Sequence, residues 1–176
     1  LTRIGEGAFQ CSGLKEVTIP STVTELGGRA FSETDLEEVT VKCGEDGWSY
    51  FGGWETFAYC KKLESVKLND NTDNIANGMF KGCTALKAIT LPKNLKEICF
   101  EAFQKCTALT QITIPTSVTS MSSEVFDGCV SLTKANILGS ITRIEQYAFN
   151  GCKQLKAIFI PVTVNEIWGY AFKGCV

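Results

Sequence analysis

Histidine is absent from this chain, and proline (4) and methionine (2) are scarce. Without an imidazole, serine-type triads and histidine-assisted cysteine nucleophiles are excluded. Long apolar runs are missing as well: the longest last only a few residues, well short of the roughly 18 to 20 that a membrane-spanning helix needs. Neither sign of charge dominates. The 17 basic residues are scattered along the chain against 19 acidic ones, for a net of −2, so no basic stripe exists to neutralise a run of phosphates. Nucleic acid and membrane insertion are therefore not expected of these residues. They also contain no charged-then-apolar leader of the signal-peptide kind. No glycine-rich phosphate loop appears, and the carboxylates do not recur as a pair, so no catalytic constellation is legible and an enzyme is not expected.

What is present is a composition that can bury a core, 44% hydrophobic with 20% charged, and a repeat. Phenylalanine recurs at Phe9, Phe31, Phe57, Phe80, Phe103, Phe126, Phe149 and Phe172, with spacings of 22, 26 and then five of 23. Each unit opens on an apolar triplet of the form L-x-x-V-x-I, such as Leu14/Val17/Ile19 or Leu109/Ile112/Ile114, whose second half alternates as a strand does. Proline follows at once in four units (Pro20, Pro92, Pro115, Pro161) and ends the strand, since it has no N–H to give a ladder. Lys42, Asn69 and Leu138 take that place elsewhere. An apolar pair three apart comes next, as in Val118/Met121, then a small residue and Phe, then Cys. One such unit encloses too little volume to be stable alone, so the units must stack, their strands side by side at roughly 4.8 Å.

The combination I-P-x-x-V-x-x-I-x-x-x-A-F-x-x-C-x-x-L-x-x-V resembles the BspA-like leucine-rich repeat family over the whole chain, with Cys where the commoner repeat carries an asparagine ladder. The fold expected is a leucine-rich-repeat solenoid of the α/β type: a curved, right-handed stack with short parallel strands in one sheet on one face and short helices or turns on the other. Residues 1–176 are expected to form a single such solenoid of about seven repeats, cut mid-repeat at both ends and so a fragment of a longer protein. The resemblance implies a protein-binding module, an adhesin or host-interaction protein at the cell surface or secreted, with a host matrix or serum protein as partner. A structural spacer and an intracellular interaction scaffold are the alternatives. No cofactor is implied.

Nine cysteines invite a metal reading, but the spacing argues against it. Cys60, Cys83, Cys106, Cys129, Cys152 and Cys175 lie 23 apart, whereas zinc sites use close pairs, often with histidine. A column of buried free thiols is expected, since parallel side chains rarely reach the disulfide torsion near 90°. Cys11 is assigned to the same column in a shortened unit, and Thr34 takes the slot in the next; both units are one residue shorter between Phe and Leu. Cys43 and Cys99 lie outside it.

Candidate binding residues come from two places. The first is the outward row of the strands, with Thr90, Thr113, Lys134, Asn136 and Phe159 as candidates. These residues either recognise a partner or form a solvated face on which Thr is common because it suits strands. Phe159 either anchors a partner or stacks on Pro161 and a following repeat. The second is the segment Lys42 to Trp54, which lengthens one unit by four residues relative to its predecessor. Two of its Trp48, Tyr50, Phe51 and Trp54 are expected to fill the core slots that this unit otherwise leaves empty, and the other reading is that at least one of the four recognises a partner.

Overall fold

A computed structural model describes residues 1–42 and 53–175. Thirteen short strands are present among them: β1 (Arg3–Ile4), β2 (Glu16–Ile19), β3 (Glu25–Leu26), β4 (Glu38–Val41), β5 (Ser65–Lys67), β6 (Asn74–Ile75), β7 (Glu97–Ile98), β8 (Gln111–Ile114), β9 (Ser120–Met121), β10 (Lys134–Ile137), β11 (Arg143–Ile144), β12 (Ala157–Phe159) and β13 (Glu166–Ile167). All pairings are parallel and join one coil to the next, giving a β-solenoid of about seven turns. The L-x-x-V-x-I strands form one face. The apolar pair of each return arm forms a second, narrower ladder, as in Ile75↔Ile98↔Met121.

The expected single sheet on the strand face is in fact two. β2, β4 and β5 form one three-stranded sheet, and β8, β10 and β12 form another. Between them Ala88–Leu91 keeps the side-chain alternation, with Leu91 buried and Thr90 exposed, but makes no backbone hydrogen bond to either neighbour among the described residues. The Leu86 and Leu109 side chains on either side remain fully buried, so the core runs through the break although the ladder does not.

The opposite face carries turns, and no helix is present among the described residues. The cause lies two residues before and two after each Phe. All sixteen of these positions, from Gly7 and Cys11 to Tyr170 and Gly174, have φ between 53° and 76°, and ten of them are not glycine. A left-handed residue cannot continue a right-handed helix. It instead turns alternate N–H groups toward the next coil. Glu101 donates to the Ser123 carbonyl at 3.3 Å, Phe103 to Val125 at 2.9 Å and Lys105 to Asp127 at 2.7 Å, while the N–H groups between them close tight turns. Each non-glycine residue held there costs about 1 kcal/mol, which the added inter-coil bonds offset.

Between these layers lies the core. The eight Phe rings form one continuous stack, with successive centroids 5.0 to 5.8 Å apart and nearly parallel planes. Each contact contributes about 0.5–1.5 kcal/mol beyond its buried area. The coils approach closely: a Cβ on Gly53 would lie 2.1 Å from the Gly28 nitrogen, so only glycine fits.

The thiol column is present and its chemistry is specific. Each Cys Sγ donates to the carbonyl of the Phe one coil earlier, Cys106 to Phe80 at 3.1 Å and Cys129 to Phe103 at 3.2 Å, for example. Thr34 in the same slot donates to Phe31 at 2.9 Å and touches Cys60 Sγ at 3.1 Å. The placement of Cys11 in this column is corrected: counted from Phe9, the slot falls on Ser12, and Cys11 is exposed at a left-handed turn position. The residue missing from the short units lies after the slot, not before it. Cys43 lies outside the described residues.

Candidate functional site

The register of the second sheet brings four of the candidates together. Thr113, Asn136 and Phe159 form one cross-strand row, and Gln111, Lys134 and Ala157 form the row beside it. Period-two alternation sends both rows outward, while Ile112, Ile114, Ala135 and Ile137 point into the core. Phe159 is 54% exposed at the end of its row. Thr90 lies beside this surface rather than in its ladder; it shares with Gln111, Thr113 and Pro115 a cavity of about 310 Å³ over the break.

Trp54 stands apart. It sits in the turn layer, its ring stacked under the Arg29 guanidinium at 4.1 Å, with Arg29 also paired to Glu55 at 2.9 Å. It is 46% exposed and fills no core slot itself. Trp48, Tyr50 and Phe51 lie outside the described residues.

Leu138 was not among the candidates although it is exposed beside the same surface. Its signal was the proline slot: where the other coils of this sheet have Pro115 and Pro161, Leu138 places an apolar side chain just past β10.

The first sheet presents different chemistry. Glu16 lies opposite Glu38 and Thr18 opposite Thr40. Glu37 and Glu64 flank them around a shallow depression, with Lys15, Lys67 and Lys87 as counter-ions. The Lys67–Glu38 pair is short, at 2.6 Å, but largely solvated. Among the described residues no three His, Cys, Asp or Glu side chains are grouped as metal ligands, and no helix is long and apolar enough to cross a membrane.

A family model described as the BspA type leucine rich repeat region matches six copies over residues 1–46 and 53–176. The chain belongs to the BspA-type leucine-rich repeat family. Solved structures of leucine-rich repeat proteins share the fold. A leucine-rich repeat protein from Bacteroides ovatus is 26% identical with a TM-score of 0.60 over 99% of this chain and 56% of its own. The T. pallidum leucine rich repeat protein is 23% identical with a TM-score of 0.72 over 99% of this chain and 70% of its own. The pneumococcal vaccine antigen PcpA is 20% identical with a TM-score of 0.59, over 96% of this chain and 55% of its own. The chain thus spans little more than half the length of the first and third of these. A search of curated proteins gave no match.

Proposed function

We propose that this BspA-type stack is a protein-binding module displayed at a cell surface or secreted, and that it takes a protein ligand on the outward face of β8, β10 and β12. The observation that carries this reading is the register: two adjacent rows of hydrogen-bonding side chains, Gln111/Lys134 and Thr113/Asn136, lie side by side, and the second ends on the half-exposed Phe159. Donors, acceptors and one large apolar anchor on a rigid sheet are what a protein interface uses. A surface location is supported by the names of proteins with this fold, among them a leucine rich cell surface protein from Faecalibacterium prausnitzii and a pneumococcal antigen. A host matrix or serum protein is the ligand to try first. A second reading, an intracellular interaction scaffold, is favoured by the eight described cysteines all being free thiols.

The test immobilises the chain and captures from host matrix and serum proteins, alongside a folded Asn136→Ala/Phe159→Ser variant. Saturable capture that the variant loses supports the proposal. Capture that the variant retains removes the β8–β10–β12 face as the site, and no capture by the folded parent shifts the reading to scaffold or spacer.

A further inference from the structure

The two short units leave a mark on the structure that the strand face does not use. Between Phe31 and Leu36 there are four residues, and between Phe57 and Leu63 there are five. Where these unequal coils meet, Asp35 faces the longer Lys61–Lys62 step, and a cavity of about 490 Å³ opens, lined by Glu33, Thr34, Asp35, Tyr59, Lys61 and Lys62. That volume falls in the range of small-molecule sites, about 300–1,000 Å³.

Its groups are held in place. Lys62 Nζ pairs with Asp35 at 2.9 Å, and Glu33 accepts from the Gln10 amide at 3.2 Å. Lys61 Nζ has no ion-pair partner among the described residues, so one ammonium is left uncompensated. The Tyr59 ring leans on Gly82 of the next coil so closely that a Cβ there would lie 2.6 Å from Cδ1. Backed in this way, the ring is a fixed platform at the cavity wall.

From this arrangement we propose that the cavity binds an acidic pyranose, a sugar ring that carries one carboxylate. Tyr59 packs against the apolar face of the ring, Lys61 takes the carboxylate, and the Glu33 and Asp35 carboxylates accept from hydroxyls. The hydroxyl donors of a sugar ring suit the two carboxylates, and because Lys62 already balances Asp35 at 2.9 Å, the Lys61 ammonium is left for the single carboxylate of the ligand. This site is separate from the strand face and does not depend on the function proposed for it.

Titration of the chain with methyl β-glucuronide, followed by amide chemical shifts, tests this directly. Saturable shifts are expected at Tyr59, Lys61 and Glu33. The neutral methyl β-glucoside should bind roughly tenfold more weakly for want of the charge-assisted bond. Lys61→Gln should weaken the glucuronide by a similar factor and leave the glucoside unchanged. Tyr59→Asn, chosen because Asn tolerates the left-handed backbone at φ 60°, should abolish both. The proposal fails if the glucuronide gives no saturable shift, if glucoside or acetate matches it, if Lys61→Gln leaves it unchanged, or if an acidic dipeptide binds more tightly.

Discussion

From Phe9 to Phe172 the turn layer repeats one arrangement in every described coil, with left-handed residues two before and two after the Phe. The strand face of the same coils drops its ladder at Ala88–Leu91 and changes its outward side chains from Glu16 and Glu38 to Lys134 and Asn136. The difference follows from what each layer satisfies. In the turn layer, a carbonyl, a thiol and an aromatic ring of one coil all meet the next, so a change in any coil is felt by two. On the strand face the outward side chains meet water, and the inward Leu and Ile hold the stack even where backbone pairing lapses. Uniformity therefore follows where side chains meet the next coil, and variation where they meet only water.

The largest effect should come from breaking the uniform layer at its centre. Phe103 is fully buried between Phe80 and Phe126, so Phe103→Ala should cost about 3–5 kcal/mol in denaturant melts. A loss under about 1 kcal/mol would mean the stack is not what holds the coils.

Alkaline pH attacks the same layer through the thiols. Burial pushes Cys83, Cys106 and Cys129 well above the ordinary value of 9.0, and Cys152 to about 12. With the folded value raised, the stabilising neutral thiol is fully present below pH 9, and its contribution is lost as pH rises from 9 toward the folded values. Stability should thus fall above pH 9 by up to roughly 1.4 kcal/mol per pH unit for each such thiol. Melts at pH 7, 9 and 10.5 read this out, and removing column thiols should flatten the slope.

A single thiol should matter less. Cys106→Val removes one of two donors to the Phe80 carbonyl, which keeps the Cys83 N–H, and should cost about 0.5–1.5 kcal/mol. Cys106→Thr should not recover it, since Thr34 in this slot donates to the carbonyl of its own coil's Phe31 and not to the coil before. A Cys106→Val variant as stable as the parent would show that the slot asks only for volume.

On the strand face the sharpest contrast is local. Amides of Ala88–Leu91 should exchange with solvent roughly tenfold faster than those of β8 and β10. The smallest effect is expected at Lys67→Ala, which removes a solvated pair to Glu38 and should move stability by less than about 0.5 kcal/mol.

Much of this architecture was legible from spacing. The Phe register, the L-x-x-V-x-I strands and the buried Cys column are periodic, and a periodic apolar slot must be interior in a stack. The turns were less legible because left-handed geometry was announced by only six glycines; Glu101, Glu124 and Lys105 adopt it with no composition signal, compelled by bonds to the next coil. The Cys11 slot was misread because a one-residue deletion can be placed on either side of a landmark, and only the backbone shows which. The lapse at Ala88–Leu91 has no sequence signal, since Ala157–Phe159 pairs with a similar Ala-Ile start. Of the candidate face, the row Thr113/Asn136/Phe159 followed from alternation. The rim cavity did not, because it arises from the mismatch of two neighbours and not from either alone.

The sulfur bonds all run one way. The thiol of each coil reaches back to the carbonyl of the coil before it, and the turn N–H groups of each coil wait for carbonyls of the coil after it. A coil leaving the ribosome therefore has its polar groups half satisfied until its successor emerges. Synthesis from the N-terminus completes the turns in the order in which they appear, so the nascent chain carries one unfinished coil at its growing end rather than many.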